Sequence, residues 1–206
     1  MSTSIPQQTL SSLSLLIALS LNSALAAVGT TNSNFAVTPD GAASYSIPIT
    51  VPPGTAGMEP RLQLRYSSQG GDGMLGVGWS LTGLSRITRC PATYVQDNTI
   101  DGVDFDANDK LCLNGSRLVA ISGNYGESGT EYRTEVEDFI KVKQFGGDLN
   151  AANTWFKVHT KNGLIKEYGG NNSSFQVPGK DYNYIWSVSR TMDTSGNYIK
   201  YNYSKD

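Results

Sequence analysis

Apolar side chains recur at every second position along most of the chain. Tyr45, Ile47, Ile49 and Val51 alternate with Ser46, Pro48 and Thr50, which places all four on one face of a strand. Pro48 has no backbone N–H to give a ladder, so this strand is expected at a sheet edge. Pro52-Pro53-Gly54 through Gly57 marks a turn, and Leu62, Leu64 and Tyr66 resume the alternation. Val77, Trp79 and Leu81 form another short set after a glycine-rich bend. Three hairpins are predicted downstream. Residues 111–113 and 117–121 flank Asn114-Gly115, and residues 155–160 and 164–168 flank Asn162-Gly163. Type I′ turns favour this pair because both central residues need positive φ. Residues 186–192 and 198–203 flank a longer turn, Asp193 to Asn197. Residues 130–135 make a further strand, with Tyr132 on one face and Glu131, Arg133 and Glu135 on the other. No stretch beyond residue 26 sustains a 3.6-residue apolar period. The expected fold is all-β, built of antiparallel strands and hairpins.

One segment breaks the pattern. Leu10 to Leu21 reads LSSLSLLIALSL, shorter than the roughly 20 apolar residues a membrane-spanning helix needs. It ends in Ala24-Leu25-Ala26, which fits the small-residue rule for signal peptidase. Residues 1–26 are therefore read as a secretory signal cut between Ala26 and Ala27, although residues 1–9 carry no Lys or Arg. A polar linker over 27–34 and a β domain over 35–206 follow. This address changes the reading of the cysteines. In an oxidising compartment Cys90 and Cys112 are expected to form a disulfide, the alternative being two buried thiols. On the chain-entropy account a loop of this size is worth about 3 kcal/mol. Two cysteines and the single histidine, His159, make a poor zinc set.

Composition narrows the function. Charged residues are 17% of the chain, against about 25% in an average soluble domain. The net charge is −2, and no run of Lys or Arg appears, so nucleic acid is not an expected partner. Gly70 to Gly78 invites a phosphate-loop reading, but neither a helix nor a Gly-Lys-Ser follows, and tight turns explain the glycines. Asp101, Asp104, Asp106, Asn108 and Asp109 offer acidic oxygens. An EF-hand loop starting at Asp104 would need Gly at its sixth position and Glu at its twelfth, where Asp109 and Gly115 stand. A calcium loop of another kind, or a solvated acidic turn, remains. Gly78-Trp79-Ser80-Leu81-Thr82-Gly83 is not a nucleophile elbow, and His159 sits opposite Val158 in strand geometry, at the surface. Glu135 and Glu137 would lie about 7 Å apart along a strand, as any alternating pair would. The eleven tyrosines and three tryptophans serve either as cross-strand and core pairs or as a sugar-stacking platform. No active site, metal or cofactor is expected.

A family resemblance rests on particular stretches: Gly41-Ala42-Ala43-Ser44-Tyr45-Ser46-Ile47-Pro48-Ile49, Val51-Pro52-Pro53-Gly54-Thr55 and Tyr66-Ser67-Ser68-Gln69-Gly70-Gly71. The most specific are Leu75-Gly76-Val77-Gly78-Trp79-Ser80-Leu81 and Ile87-Thr88-Arg89-Cys90. With Leu111-Cys112-Leu113-Asn114-Gly115 and residues 129–135, the chain resembles the virulence-plasmid toxin B (SpvB-like) N-terminal domain. That domain is also found in Tc insecticidal toxin B subunits and secreted Rhs/YD-repeat proteins. Asp193-x-x-Gly196-Asn197 followed by Tyr201 is similar to one YD-type hairpin. The resemblance implies a non-enzymatic role in virulence, as the opening part of a β-strand shell, with the rest of the shell or toxin-complex subunits as partners. The signal 1–26 sets the expected location as the exterior or periplasm, and the resemblance adds, for related proteins, action in a host cytoplasm. Relatives of this kind continue into further repeats, so a C-terminally truncated piece of a longer polypeptide is expected. An independent surface adhesin or carbohydrate-binding module is the second reading.

Overall fold

The computed structural model describes residues 32–73, 75–180 and 182–204. The leader 1–26, the Ala26–Ala27 junction and the linker as far as residue 31 lie outside the described residues. The first strands are β1 (Asn34–Val37), β2 (Ala43–Ile49), β3 (Leu62–Ser67), β4 (Asp72–Gly73), β5 (Gly76–Val77) and β6 (Trp79–Thr82). β1, β2, β3 and β6 form one antiparallel sheet in that order, and β4 pairs only with β5. β2 is internal over its first half, contrary to the edge position expected from Pro48. β1 pairs with Ala43 to Ser46 and stops short of the proline, so no neighbour on that side needs the missing donor. Asn34, assigned to the linker, already opens β1.

The rest of the chain makes a ring. Its elements are β7 (Arg86–Cys90), the short helix α1 (Tyr94–Asp97), β8 (Lys110–Leu113), β9 (Ser116–Ser122) and β10 (Glu131–Thr134). They continue with β11 (Lys141–Phe145), β12 (Trp155–His159), β13 (Ile165–Gly169), β14 (Ser174–Gln176), β15 (Asn183–Met192) and β16 (Tyr198–Lys200). Strands β7 to β13 pair with their sequence neighbours. The long β15 then closes the circle. Its first half pairs with β7 through Ile185–Ser187, and its second half pairs with β13 through Val188–Met192. Eight antiparallel strands thus form a closed barrel. β14 continues the line of β13 along β15, after an excursion over residues 170–173. β16 pairs with β15 at Arg190 to Met192. The C-terminal strand ends at Lys200, three residues earlier than its alternation suggested. Tyr203 instead donates its hydroxyl to the Val188 carbonyl at 2.8 Å.

A barrel of eight strands has an interior just wide enough for side chains to fill. Here every second residue does so: Ile87, Leu111, Leu113, Leu118, Tyr132, Val142, Phe156, Val158, Tyr168, Trp186 and Val188 are buried in one cluster. The β10 strand presents Tyr132 inward, with Glu131 and Arg133 outside. Strand β11 went unrecognised in the sequence because one of its two inward residues is Gln144. That amide is fully buried yet satisfied. It accepts from the Tyr132 hydroxyl at 2.7 Å and donates to the Gly126 and Gly147 carbonyls. The two turns also differ. Asn114 and Gly115 both have positive φ, as type I′ requires, whereas only Gly163 of the second pair does. Its amide bonds back to the Thr160 carbonyl, a type I turn followed by a glycine bulge rather than type I′.

Burial raises the Tyr132 and Tyr168 phenols to about 12, from an ordinary value near 10. Folding therefore favours the neutral phenol. That contribution is complete below about pH 10, where the unfolded chain is also neutral, and is lost as pH rises through about 12. The melting temperature is expected to hold up to about pH 10 and then fall steeply. Thermal melts followed alongside tyrosinate absorbance check this; a melting temperature constant across that window would contradict it.

Candidate functional site

One end of the barrel is built around a buried cation. Arg89 sits in β7 at an inward position beside Ile87, and all five of its N–H donors are used. Nε donates to the Asn183 carbonyl at 2.9 Å, Nη1 to the Asp106 carbonyl and Asp109 Oδ2, and Nη2 to the Leu149 carbonyl and Asn150 Oδ1. The Arg89–Asp109 ion pair spans 2.8 Å with both side chains fully buried. Asp109 also accepts from the amides of Asp104 and Phe105. One guanidinium thus ties the 91–109 excursion, the 146–154 turn and the start of β15 together.

The neck of that excursion is held twice more. Cys90 and Cys112 form a disulfide, Cα to Cα 5.9 Å, diagonally across β7 and β8. Arg117 donates to the Pro91 carbonyl at 2.8 Å and makes a close ion pair with Asp97 in α1. Burial works against ionisation of Asp97, but the Thr93 amide and the Arg117 guanidinium more than offset it, and the carboxyl lies below its ordinary range. Within the excursion Asp101, Asp104 and Asp106 bring one carboxylate oxygen each within 4.8 Å of the others. Asp109, from the same sequence cluster, is engaged by Arg89 instead. Three carboxylates make part of the six to eight oxygens calcium takes, the rest of which would have to come from carbonyls or water. His159 is exposed at the end of β12. The glycine loop forms the β4–β5 ribbon and leads into β6, with no helix at hand for a phosphate.

The four-stranded sheet offers a different kind of site. Strand pairing sets Phe35, Tyr45, Tyr66 and Trp79 in one row across all four strands, and Ile47, Leu64 and Leu81 in the next. Trp79 meets Tyr66 at 5.4 Å and Tyr45 edge-on at 6.3 Å. Because cross-strand partners share a face, one side of the sheet is apolar throughout. The other carries Asn34, Ser44, Ser46, Gln63, Arg65, Ser80 and Thr82. The apolar side remains open to solvent: Phe35 is 69% exposed, Val37 65% and Leu81 44%. Contiguous apolar surface of this kind marks an interaction face.

The sequence model of the family described as SpvB, Salmonella virulence plasmid 65kDa B protein, matches residues 37–206. The chain belongs to the SpvB family. Curated SpvB relatives include the proteins named Mono(ADP-ribosyl)transferase SpvB in Salmonella typhimurium (strain 14028s / SGSC 2262) and in Salmonella dublin, each 27% identical over 180 residues. The alignment takes in 80% of this chain and 30% of either relative, so the chain spans under a third of their length. Among solved structures, the N-terminal domain of effector protein SpvB from Salmonella typhimurium strain LT2 is 25% identical, with a TM-score of 0.57. That match covers 75% of this chain and 53% of the other. The crystal structure of TcdB2-TccC3 gives a TM-score of 0.69 at 22% identity, covering 85% of this chain and 9% of that one. The SpvB-like fold expected from the motifs is thus present, and the chain is a toxin-related β domain. Among the described residues no helix is long and apolar enough to cross a membrane.

Proposed function

We propose that this chain is a non-catalytic structural domain of a secreted toxin-complex or Rhs-type shell protein, and one section of a longer polypeptide. The open apolar face of the four-stranded sheet carries this reading. A strand layer with one face unprotected at Phe35, Val37 and Leu81 calls for a covering layer, and further repeats of the same shell would supply it. Similarity to 9% of the TcdB2-TccC3 chain supports a segment working inside a larger assembly. The transferase named in the SpvB relatives belongs to proteins of which this chain spans 30%. Export would rest on the leader 1–26.

The test is immunoprecipitation from the source organism's culture medium with an antibody to the barrel, followed by peptide mapping. The expected product is a polypeptide larger than 22.2 kDa whose N-terminus is Ala27. A product confined to the cells and beginning at Met1 would remove the export. A secreted product with no sequence outside this chain would overturn the shell reading, as would transfer of label from NAD by the chain alone.

A further inference from the structure

On the outer surface of the barrel three irregularities of the sheet converge. β13 and β14 are separated by the excursion 170–173, β15 bulges at Ser189 opposite Glu167 and Tyr168, and the chain leaving β16 crosses nearby. Bulges and interrupted ladders of this kind recur next to binding sites because they re-aim side chains. Here they leave a cleft of about 480 Å³, within the size range of small-ligand sites.

Three of its lining residues, Trp155, Tyr201 and Tyr203, are aromatic. Trp155 stacks on Phe145, ring centroids 4.4 Å apart and planes 16° from parallel. The residue paired with Trp155 on its other side is Gly169, which has no side chain to fill the space, and the cleft opens beside the indole with Lys157 Nζ 5.6 Å from the ring. Gly169 cannot readily change: its φ is +78°, and a Cβ would lie 2.5 Å from Trp186 in the core. Tyr201 and Tyr203 form the facing wall, and both are held in place. The Tyr201 amide donates to the Ser189 carbonyl at 2.9 Å. The Tyr203 ring meets Phe175 edge-on at 5.7 Å, besides its bond to Val188. Walls already fixed in position lose little freedom when a ligand enters. Around these rings stand Glu167, Lys200 and Asn202, which between them provide acceptor and donor groups.

We propose that this cleft binds a neutral oligosaccharide. A pyranose ring has an apolar C–H face and a girdle of hydroxyls, and the cleft sets an indole beside carboxylate, amide and ammonium groups. The lining carries Glu167 and Lys200, and Glu167 is ion-paired with Lys157 at 3.7 Å, so the charges are of mixed sign and lack the arginine fork that holds carboxylates and sulfates bidentately. Trp155 supplies the stacking face; Glu167 and Asn202 bond hydroxyls. This function is separate from the structural role proposed above, which a cleft that takes no sugar would leave intact.

The test is a glycan array of neutral, sialylated and sulfated oligosaccharides probed with the full 206-residue chain. Retained sugars are then titrated by NMR up to about 10 mM, where even affinities near 1 mM register. Binding of neutral sugars is expected, with acidic analogues of the same backbone no tighter. Trp155→Ala should weaken binding at least about tenfold. Asn172→Trp, placed on the exposed rim to fill the cleft, should do the same without touching the sheet, and serves if Trp155→Ala does not fold. The melting temperature of Asn172→Trp should match the parent. Silence across the array would overturn the proposal, as would a preference for acidic glycans. So would a sugar that a folded cleft variant binds with parental affinity.

Discussion

Arg89→Met is expected to lower stability by about 3–5 kcal/mol, because it strands the buried Asp109 carboxylate without its cation. In a domain of this size that corresponds to a fall of roughly 10 °C in melting temperature. The loss is larger than one hydrogen bond would suggest, since Arg89 also satisfies carbonyls from Asp106, Leu149 and Asn183. A double variant, Arg89→Met with Asp109→Leu, should recover part of it: removing both charges leaves fewer buried groups unpaired. Denaturant unfolding of the parent and the two variants checks the order. A double variant less stable than Arg89→Met would show that the ion pair is not the reason for the loss.

Breaking the Cys90–Cys112 bond is the second large effect. The bond closes a separation of 22 residues, for which loop-closure entropy gives about 3 kcal/mol. Reduction, or Cys90→Ala with Cys112→Ala, should lower the melting temperature by roughly 6–12 °C. The disulfide lies outside the barrel wall, so the ring should survive while the 91–109 neck loosens. Hydrogen exchange resolves the two. Amides of Phe105 and Asn98 should lose protection first, and those of β11 and β12 should hold it. Uniform loss across the barrel would mean that the bond supports the whole ring rather than its neck.

Strand positions were legible wherever apolar residues alternate, because the pleat imposes a period of two. β2, β3, β12 and β15 follow that rule over most of their inward positions. The signal failed where an inward position is polar. Gln144 hides β11, and Arg89, the most connected side chain in the structure, reads in sequence as an ordinary surface cation. Only the partners reveal it, and three of the five lie 60 or more residues away. A sign was present: Arg89 falls two residues after Ile87 in an alternating strand, on the buried face. Asn162-Gly163 shows the limit of turn signals, since one dipeptide supports two geometries and the flanking register decides between them. Ring closure was illegible, because β7 and β15 are far apart in sequence and nothing local pairs them. The Trp155 cleft was foreshadowed only as a surplus of aromatic residues; its opening depends on Gly169 standing opposite the indole.

The closure by β15 has a consequence for how the chain is made. Thr88 finds its partner Ile185 roughly a hundred residues later, and contacts of such long range are slow to form. A polypeptide emerging N-terminus first from a ribosome therefore exposes the free flank of β7 while seven further strands, β8 to β14, appear. During that interval the ring cannot lock. Once residues 183–192 have emerged, both flanks are sealed by a single strand. Locking is thus timed by the order of synthesis.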